Sequence, residues 1–146
     1  MKKHFLPVGI VFLSLLFLSV FLSVLAFAGK VEGRGQEWLD AQKDPPQVNV
    51  NGEWNAKDWG VFHLKQDEGS RDVSGDGYGY DLTGVVSGKR LFLLFHHGGG
   101  SVAYCATLTS DDDKTLTGTY SYRVTRLRFG HGLCQEKGRP MQMTKR

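Results

Sequence analysis

The sequence predicts an all-β domain, an antiparallel up-and-down meander that closes into a barrel of about eight strands. From residue 48 onward apolar and polar residues alternate, and no window carries the i, i+3, i+4, i+7 apolar stripe of a helix. Short connections rich in glycine, serine and aspartate separate the runs, so consecutive strands are expected to be hairpin neighbours. Closure removes the two exposed edges of such a meander, whereas an open twisted sheet or a small sandwich is the alternative.

A charge-free and mainly apolar run, residues 5–28, precedes this domain. Lys2 and Lys3 come before it, and it ends on Ala-Phe-Ala, the small-x-small pattern that signal peptidase cuts. Because the run is also long enough to span a bilayer, which takes about 20 residues, two interpretations stay open. Residues 1–28 are a cleaved signal peptide, or residues 5–28 anchor the protein with the lysines in the cytoplasm. Both predict an extracytoplasmic protein, periplasmic or secreted.

Residues 29–47 are predicted to form a polar spacer, and residues 48–146 the barrel-like domain. Pro45 and Pro46 prevent a helix from continuing and favour an extended chain. A short helical turn is predicted around residues 37–41, with Trp38 folding back onto the domain.

The charge and the cysteines narrow the class of protein. The net charge is +3 at pH 7, and two of the basic residues, Lys2 and Lys3, belong to the export segment. The charge of the rest of the chain is therefore close to balanced, and no nucleic-acid partner is expected.

Cys105 and Cys134 both follow the export segment, where an even cysteine count predicts a disulfide. That bond would close a loop of about 30 residues and stabilise the fold by roughly 3.5 kcal/mol. The cysteines lack the C-x-x-C spacing of a zinc site.

Eight runs are predicted as strands. In the clearest one, Leu116, Gly118, Tyr120 and Tyr122 point to one face while threonine and serine point to the other. Residues 91–95 are apolar on both faces, which predicts a strand covered on both sides, by the spacer or by a partner. The runs are 48–55, 59–66, 71–80, 82–87, 90–97, 101–109, 115–123 and a weak one at 140–145.

Five short motifs between residues 50 and 123 carry a resemblance. In order they are G-x-W at Gly52, W-G-x-x-x-L-x-Q at Trp59, V-x-G at Val73, L-x-G-x-V-x-G at Leu82 and L-x-G-x-Y at Leu116. This order resembles a group of uncharacterised bacterial exported β-meander domains and is similar, more distantly, to avidin-like and lipocalin-like eight-stranded barrels. The resemblance implies a barrel scaffold and, for the avidin and lipocalin cases, a ligand in its mouth. It assigns no binding residue, and the chain departs from the group after Phe129, where it carries Cys134 and lacks a Trp-Gly closing strand.

Aromatic side chains with polar tips are the candidate ligand contacts. Rings that line a cavity or an open face suit a sugar, a flat hydrophobic molecule or a peptide. The alternative is that the rings simply fill the barrel, because small barrels are packed with side chains. The candidate ligand-binding residues are Trp54, Trp59, Tyr78, Tyr104, Tyr120 and Tyr122, with Tyr80 among the neighbouring rings.

No motif predicts catalysis or metal binding. The sequence His97-Gly-Gly-Gly matches an esterase oxyanion segment, but the G-x-S-x-G nucleophile elbow is missing. His96 and His97 are adjacent in a predicted strand, so they point to opposite faces and could share an ion only if a turn redirected them. The aspartates at 111–113 lack the spaced oxygen ligands of a calcium loop. No catalytic residue, metal or cofactor is therefore predicted.

We expect an exported, non-catalytic binding or envelope-associated module that uses an aromatic face or the barrel mouth. Its partner would be a small molecule, a glycan or an envelope protein, with membrane contact through the N-terminal segment if that segment is uncleaved. Two alternatives remain open. One is a small hydrolase that uses His63, His96 or His97 beside an aspartate. The other is a structural or inhibitory domain that binds protein through a basic stripe of Arg123, Arg126 and Arg128.

Overall fold

Eight antiparallel strands form a closed barrel in the computed structural model, which describes residues 35–98, 100–122 and 138–146. Each strand pairs with the next one in the chain and the last pairs with the first, so the predicted closed up-and-down barrel is confirmed. The strands are β1 (Gly52–Ala56), β2 (Gly60–Lys65), β3 (Asp72–Gly77), β4 (Tyr80–Ser87), β5 (Arg90–His96), β6 (Val102–Ser110), β7 (Thr115–Tyr122) and β8 (Arg139–Lys145). Residues 1–34 and 123–137 lie outside the described residues, and with them the predicted export segment, Cys134 and the arginine stripe.

The weak run at the end of the sequence is the strand that closes the barrel. β8 pairs with β7 from Thr115↔Thr144 to Tyr120↔Arg139. On its other edge it pairs with β1 through three residues, Trp54↔Lys145, Asn55↔Thr144 and Ala56↔Met143. β8 therefore closes the barrel, without a Trp-Gly sequence.

The motifs that begin at Val73, Leu82 and Leu116 each place a glycine where neighbouring strands approach closely. A Cβ atom at Gly75 would lie 2.1 Å from a carbonyl oxygen of the adjacent strand, and one at Gly84 would lie at 2.3 Å. At Gly118 the distance would be 2.0 Å, to the carbonyl oxygen of Thr107. Side chains cannot occupy these points, so only glycine permits the local approach of the two backbones.

Inward-facing side chains fill the barrel. The largest fully buried ones include Trp54, Phe62, Phe95, Leu64 and Leu108, and they belong to one continuous apolar cluster. Eight strands enclose an interior that side chains can fill or that can hold one small ligand. In the described part of this barrel the interior is filled.

The spacer covers the outer face of β5, as predicted. Residues 35–40 are helical, and the Trp38 ring meets the Phe92 ring edge-on with centroids 5.5 Å apart. Leu39 is 2% exposed in a second apolar cluster on the outside of β4, β5 and β6. Further along, the amide of Gln47 donates a hydrogen bond to the carbonyl of Gly88. Within the described residues, no helix has both the length and the hydrophobicity to cross a bilayer.

Replacing Leu39 with alanine is expected to lower the free energy of unfolding by about 2 kcal/mol, the low end for a buried leucine because a short terminal segment can partly relax. Urea unfolding measures the change. Glu37→Ala is the matched control, since Glu37 lies exposed on the same helical segment. Equal stability of the two variants would contradict the view that the spacer is part of the folded unit.

Candidate functional site

Six aromatic side chains gather at one end of the barrel, the end that carries the β1–β2, β3–β4 and β5–β6 turns. Period-two alternation brings three of them to the inner face near this end, since Tyr80 begins β4, Tyr104 lies early in β6 and Tyr120 lies late in β7. We call this set the aromatic mouth: Trp59, Tyr78, Tyr80, Tyr104, Tyr120 and Tyr122.

Trp59 is the centre of the aromatic mouth. Its ring centroid lies 4.9 Å from that of Tyr120, 5.2 Å from Tyr78, 5.4 Å from Tyr104 and 5.6 Å from Phe95. Contacts at these distances, mostly tilted or edge-to-face, are the favourable arrangement for aromatic pairs. The indole therefore plugs the end of the barrel.

The β1–β2 turn holds this indole in place through its backbone. Asp58 has φ of 70° and Gly60 has φ of 81°, so left-handed residues flank Trp59 on both sides. The amide of Trp59 donates a hydrogen bond to the carbonyl of Ala56 over 3.1 Å. The tight turn folds the tryptophan back over the barrel end.

The outer tyrosines of the mouth form a continuous series of ring contacts. The rings of Tyr78 and Tyr80 are nearly parallel at 6.5 Å, Tyr80 meets Tyr104 at 5.6 Å, and Tyr104 meets Tyr122 at 4.6 Å. Tyr78 is 62% exposed and Tyr122 is 59% exposed, the two large apolar side chains left exposed in the described part of the chain. His97 lies beside this series, 5.1 Å from the Tyr80 ring.

Tyr78 occupies a backbone position that disfavours it. Its φ is 53° and that of Gly79 is 80°, so the two-residue β3–β4 hairpin turn has left-handed residues at both central positions. Turns of this kind prefer Asn-Gly, because a bulky side chain is strained at positive φ. Neither the turn nor the core requires a tyrosine here, and an exposed residue kept at a strained position is a reason to consider function.

The hydroxyl of Tyr104 is held in its neutral form. Its hydrogen bond with Tyr122 raises the pKa of Tyr104 well above the ordinary value, and burial and the nearby Tyr80 raise it further. The Tyr104 hydroxyl therefore keeps its proton to a higher pH than an ordinary tyrosine hydroxyl does.

Alkaline pH is expected to destabilise the barrel through this residue. Above the ordinary tyrosine pKa of about 10, the unfolded chain loses the Tyr104 proton while the folded barrel keeps it, so the unfolding free energy falls as the pH rises. Tyr104→Phe removes this contribution, and its unfolding free energy should decline less steeply between about pH 10 and about pH 12. Urea unfolding of both proteins across this range measures the slopes, and equal slopes would contradict the raised pKa.

Arg139 borders the aromatic mouth and was not predicted from the sequence. It is directly opposite Tyr120 in the β7–β8 register, and its Cζ lies 5.9 Å from the Tyr122 ring centroid. The alternation of Arg139, Met141 and Met143 indicates that Arg139 shares a face with two apolar residues. This pattern points to the mouth only when β8 is known to be the closing strand.

Trp54 is the one predicted ligand-binding residue that does not belong to the mouth. It is 1% exposed inside the barrel, and its Nε1 donates a hydrogen bond to the carbonyl of Val50 over 2.7 Å. The structure brings the other five, Trp59, Tyr78, Tyr104, Tyr120 and Tyr122, together. We therefore leave Trp54 out of the proposed contact surface.

The three histidines of the hydrolase alternative contact different neighbours. His63, on the outer face of β2, lies 3.0 Å from Asp76 and 3.6 Å from Glu53. His96 contacts the Thr83 hydroxyl at 2.7 Å through Nε2 and the Gly100 carbonyl at 3.1 Å through Nδ1. His97 lies at the mouth. Among the described residues, no three histidine, cysteine or acidic side chains form a group that could hold a metal ion.

The aspartate turn between β6 and β7 uses its carboxylate locally. The amides of Lys114 and Thr115 donate hydrogen bonds to Asp112 over 3.0 and 2.7 Å, and these bonds lower the pKa of that carboxyl. Asp112 therefore stabilises the turn that leads into β7.

Cys105 lies buried on the outer side of β6, with its Sγ 3.6 Å from the Ser121 hydroxyl. No cysteine of the described residues is free. Its predicted partner Cys134 lies outside the described residues, so the pairing stays a prediction.

A shallow groove of about 400 Å³ lies where β1 and β8 meet. It occurs because β1 ends at Ala56, so the first residues of β8, from Arg139 onward, have no β1 partner. Its lining residues are Lys57, Asp58, Thr117, Gly118, Pro140, Met141 and Gln142.

The fold and the site define a class of protein: a closed eight-stranded antiparallel barrel with a filled interior and an aromatic mouth. Comparison of the chain with protein-family models, curated proteins and solved structures found no match. The resemblance to exported β-meander domains and to avidin-like and lipocalin-like barrels therefore stays a prediction.

Proposed function

We propose that this protein is an exported, non-catalytic binding module whose ligand is a carbohydrate lying on the aromatic mouth. The observation that carries the proposal is the exposure of Tyr78 and Tyr122, which are 62% and 59% exposed at the edge of a closely packed set of rings. Exposed aromatic rings on a rigid support are typical of binding surfaces, because they offer a large contact area for little loss of side-chain freedom.

The filled interior favours a sugar over a flat hydrophobic molecule. A pocket-bound small molecule normally buries about 70–90% of its surface, and the described interior of this barrel is occupied by side chains such as Trp54 and Phe62. A ligand on the mouth would be covered on one side and wet on the other. A pyranose suits this situation, since its ring carries an apolar C–H face and a rim of hydroxyl groups that tyrosine hydroxyls can bind.

Export is the second component of the proposal. Residues 1–28 act as a cleaved signal peptide or as a membrane anchor, and the barrel works in the periplasm or outside the cell. In that compartment a Cys105–Cys134 disulfide would persist. The intact mass of the protein recovered from its own envelope tests both points: loss of residues 1–28 reports cleavage, and a mass lower by two hydrogens before reduction reports the disulfide.

Tyr78→Asn tests the binding surface with little risk to the fold. Asparagine suits the left-handed turn position, so the variant is expected to be as stable as the wild type or slightly more stable. Affinity for the glycan that the wild type selects from an immobilised panel of neutral and acidic oligosaccharides should fall by about tenfold, because a stacked ring contributes roughly 1–1.5 kcal/mol.

Trp38→Ala is the control for this experiment, since its ring lies on the outer face against Phe92. It should leave glycan affinity unchanged. Absence of wild-type binding to every glycan on the panel, or full binding by a Tyr78→Asn, Tyr122→Ala double variant that remains folded, would reject the proposal.

A further inference from the structure

We propose that the carbohydrate is acidic, a pyranose that carries a carboxylate, and that Arg139 is the residue that binds this carboxylate. The inference rests on the proposed function and adds the charge of the ligand to it. Three observations carry it: the register of Arg139, the absence of an ion-pair partner among the described residues, and its position over the exposed ring of Tyr122.

The register places Arg139 on the same face as the aromatic mouth. It is paired with Tyr120, whose ring packs against Trp59, and residues directly opposite each other in an antiparallel pair project to the same face. Met141 and Met143 follow at two-residue spacing and are buried in the core. Arg139 is therefore the last member of the inward-facing row of β8, at the point where that row reaches solvent.

The charge of Arg139 is not neutralised by the rest of the described chain. The three ion pairs of the described residues join His63 to Glu53, His63 to Asp76 and Arg146 to Glu53, all at the outer face or the opposite end. The surrounding residues of the aromatic mouth are tyrosines and a tryptophan, with the His97 ring 5.1 Å from that of Tyr80. A guanidinium in such a setting attracts an anion, and its planar donors match the two oxygens of a carboxylate.

Arg139 is also positioned to act together with a stacked sugar. Its Cζ lies 5.9 Å from the Tyr122 ring centroid, near the outer limit of about 6 Å for a cation–π contact. The guanidinium therefore lies over part of the Tyr122 ring, with no other partner for its donors among the described residues, while 59% of Tyr122 remains exposed. A sugar ring on Tyr122 would bring a carboxylate substituent within reach of Arg139.

The proposal is tested by calorimetric titration of the full exported protein with a short oligogalacturonate and with its methyl ester of the same length. The ester keeps the sugar rings and removes the negative charge. The wild type is expected to bind the acid about tenfold more tightly than the ester at low salt, which is the low end for a charge-assisted hydrogen bond. Added salt should reduce the difference.

Arg139→Gln should lower the affinity for the acid to that of the ester. Arg139→Lys keeps the charge without the paired donors and should retain part of the preference, which separates a charge effect from a folding defect. Lys145→Gln is the matched control, because the Lys145 ammonium lies over another aromatic ring, 5.5 Å from the centroid of Trp54, at the opposite end of the barrel. It should leave the preference unchanged.

Equal affinity of the wild type for acid and ester would overturn this inference and leave the proposed carbohydrate function standing. A preference that persists in Arg139→Gln would overturn the role of Arg139. Equally tight binding of a short polyglutamate would show that charge alone is recognised and would also overturn it. Absence of binding to both oligosaccharides and to every glycan on the panel would reject the proposed function itself.

Discussion

Replacement of Trp54 with alanine is expected to destabilise the barrel by about 3–5 kcal/mol, the range for a large aromatic side chain removed from a core. The indole is 1% exposed, and its loss would also leave the Val50 carbonyl without its hydrogen-bond donor. Since the free energy of unfolding of a small domain is about 5–15 kcal/mol, this single change would remove a large part of the stability. Urea unfolding followed by circular dichroism measures it.

Trp38→Ala provides the comparison, because the same residue type is removed from the outer surface, where Trp38 remains partly exposed. Trp38→Ala should lower the free energy of unfolding clearly less than Trp54→Ala does. If both substitutions lower it equally, the assignment of Trp54 to the core would be wrong. The comparison also separates stability from binding: lost glycan binding in Trp54→Ala would report unfolding, whereas Tyr78 and Tyr122 can be changed without touching the core.

Replacement of Gly118 with alanine is expected to cost about 3 kcal/mol, the upper end for overpacking, because the new methyl group would meet backbone rather than a movable side chain. Its Cβ would lie 2.0 Å from the Thr107 carbonyl oxygen and 2.9 Å from the Leu108 Cα. The β6–β7 pairing would have to separate locally. Hydrogen exchange of the amides in these two strands, together with urea unfolding, measures both the loss of stability and its location.

Gly98→Ala is the matched control for this variant. A Cβ atom at Gly98 would have no atom within 4 Å, and its backbone does not require glycine. The expected change is within about 0.5 kcal/mol, as for ordinary surface substitutions. A Gly118→Ala protein as stable as Gly98→Ala would contradict the close approach of β6 and β7 at this point.

Under the proposed function, the separation between core and mouth would allow ligand choice to change independently of stability. Trp59 contacts the buried Phe95 on its inner side and the exposed Tyr78 on its outer side. Trp59 therefore lies between the core and the outer rings. A bound ligand would contact Tyr78 and Tyr122 rather than the core. Changes of the outer tyrosines or of Arg139 could alter ligand choice at little cost in stability.

Much of the architecture could be predicted from local sequence signals. The period of two, the turn residues and the glycine motifs predicted eight strands, and the described residues form eight. Their bounds lie within two residues of those expected, except that β1 begins at Gly52 rather than at residue 48 and β3 ends at Gly77 rather than at residue 80. The two-sided apolar strand at residues 91–95 predicted an outer cover, and Trp38 and Leu39 provide it. The β3–β4 boundary was wrong, because the turn falls at Tyr78 and Gly79 rather than after Tyr80. Tyrosine is a poor signal for a left-handed turn.

The sequence by itself determined the number, order and alternation of the strands, because side-chain period and turn chemistry are properties of neighbouring residues. Only the tertiary structure decided which aromatic residues meet. Trp54 and Trp59 are five positions apart, yet barrel closure buries the first and places the second at the mouth. Arg139 reaches the same mouth because β8 pairs with β7 in one register. Register around a closed barrel is fixed by contacts between strands distant in sequence, so no local pattern could reveal it.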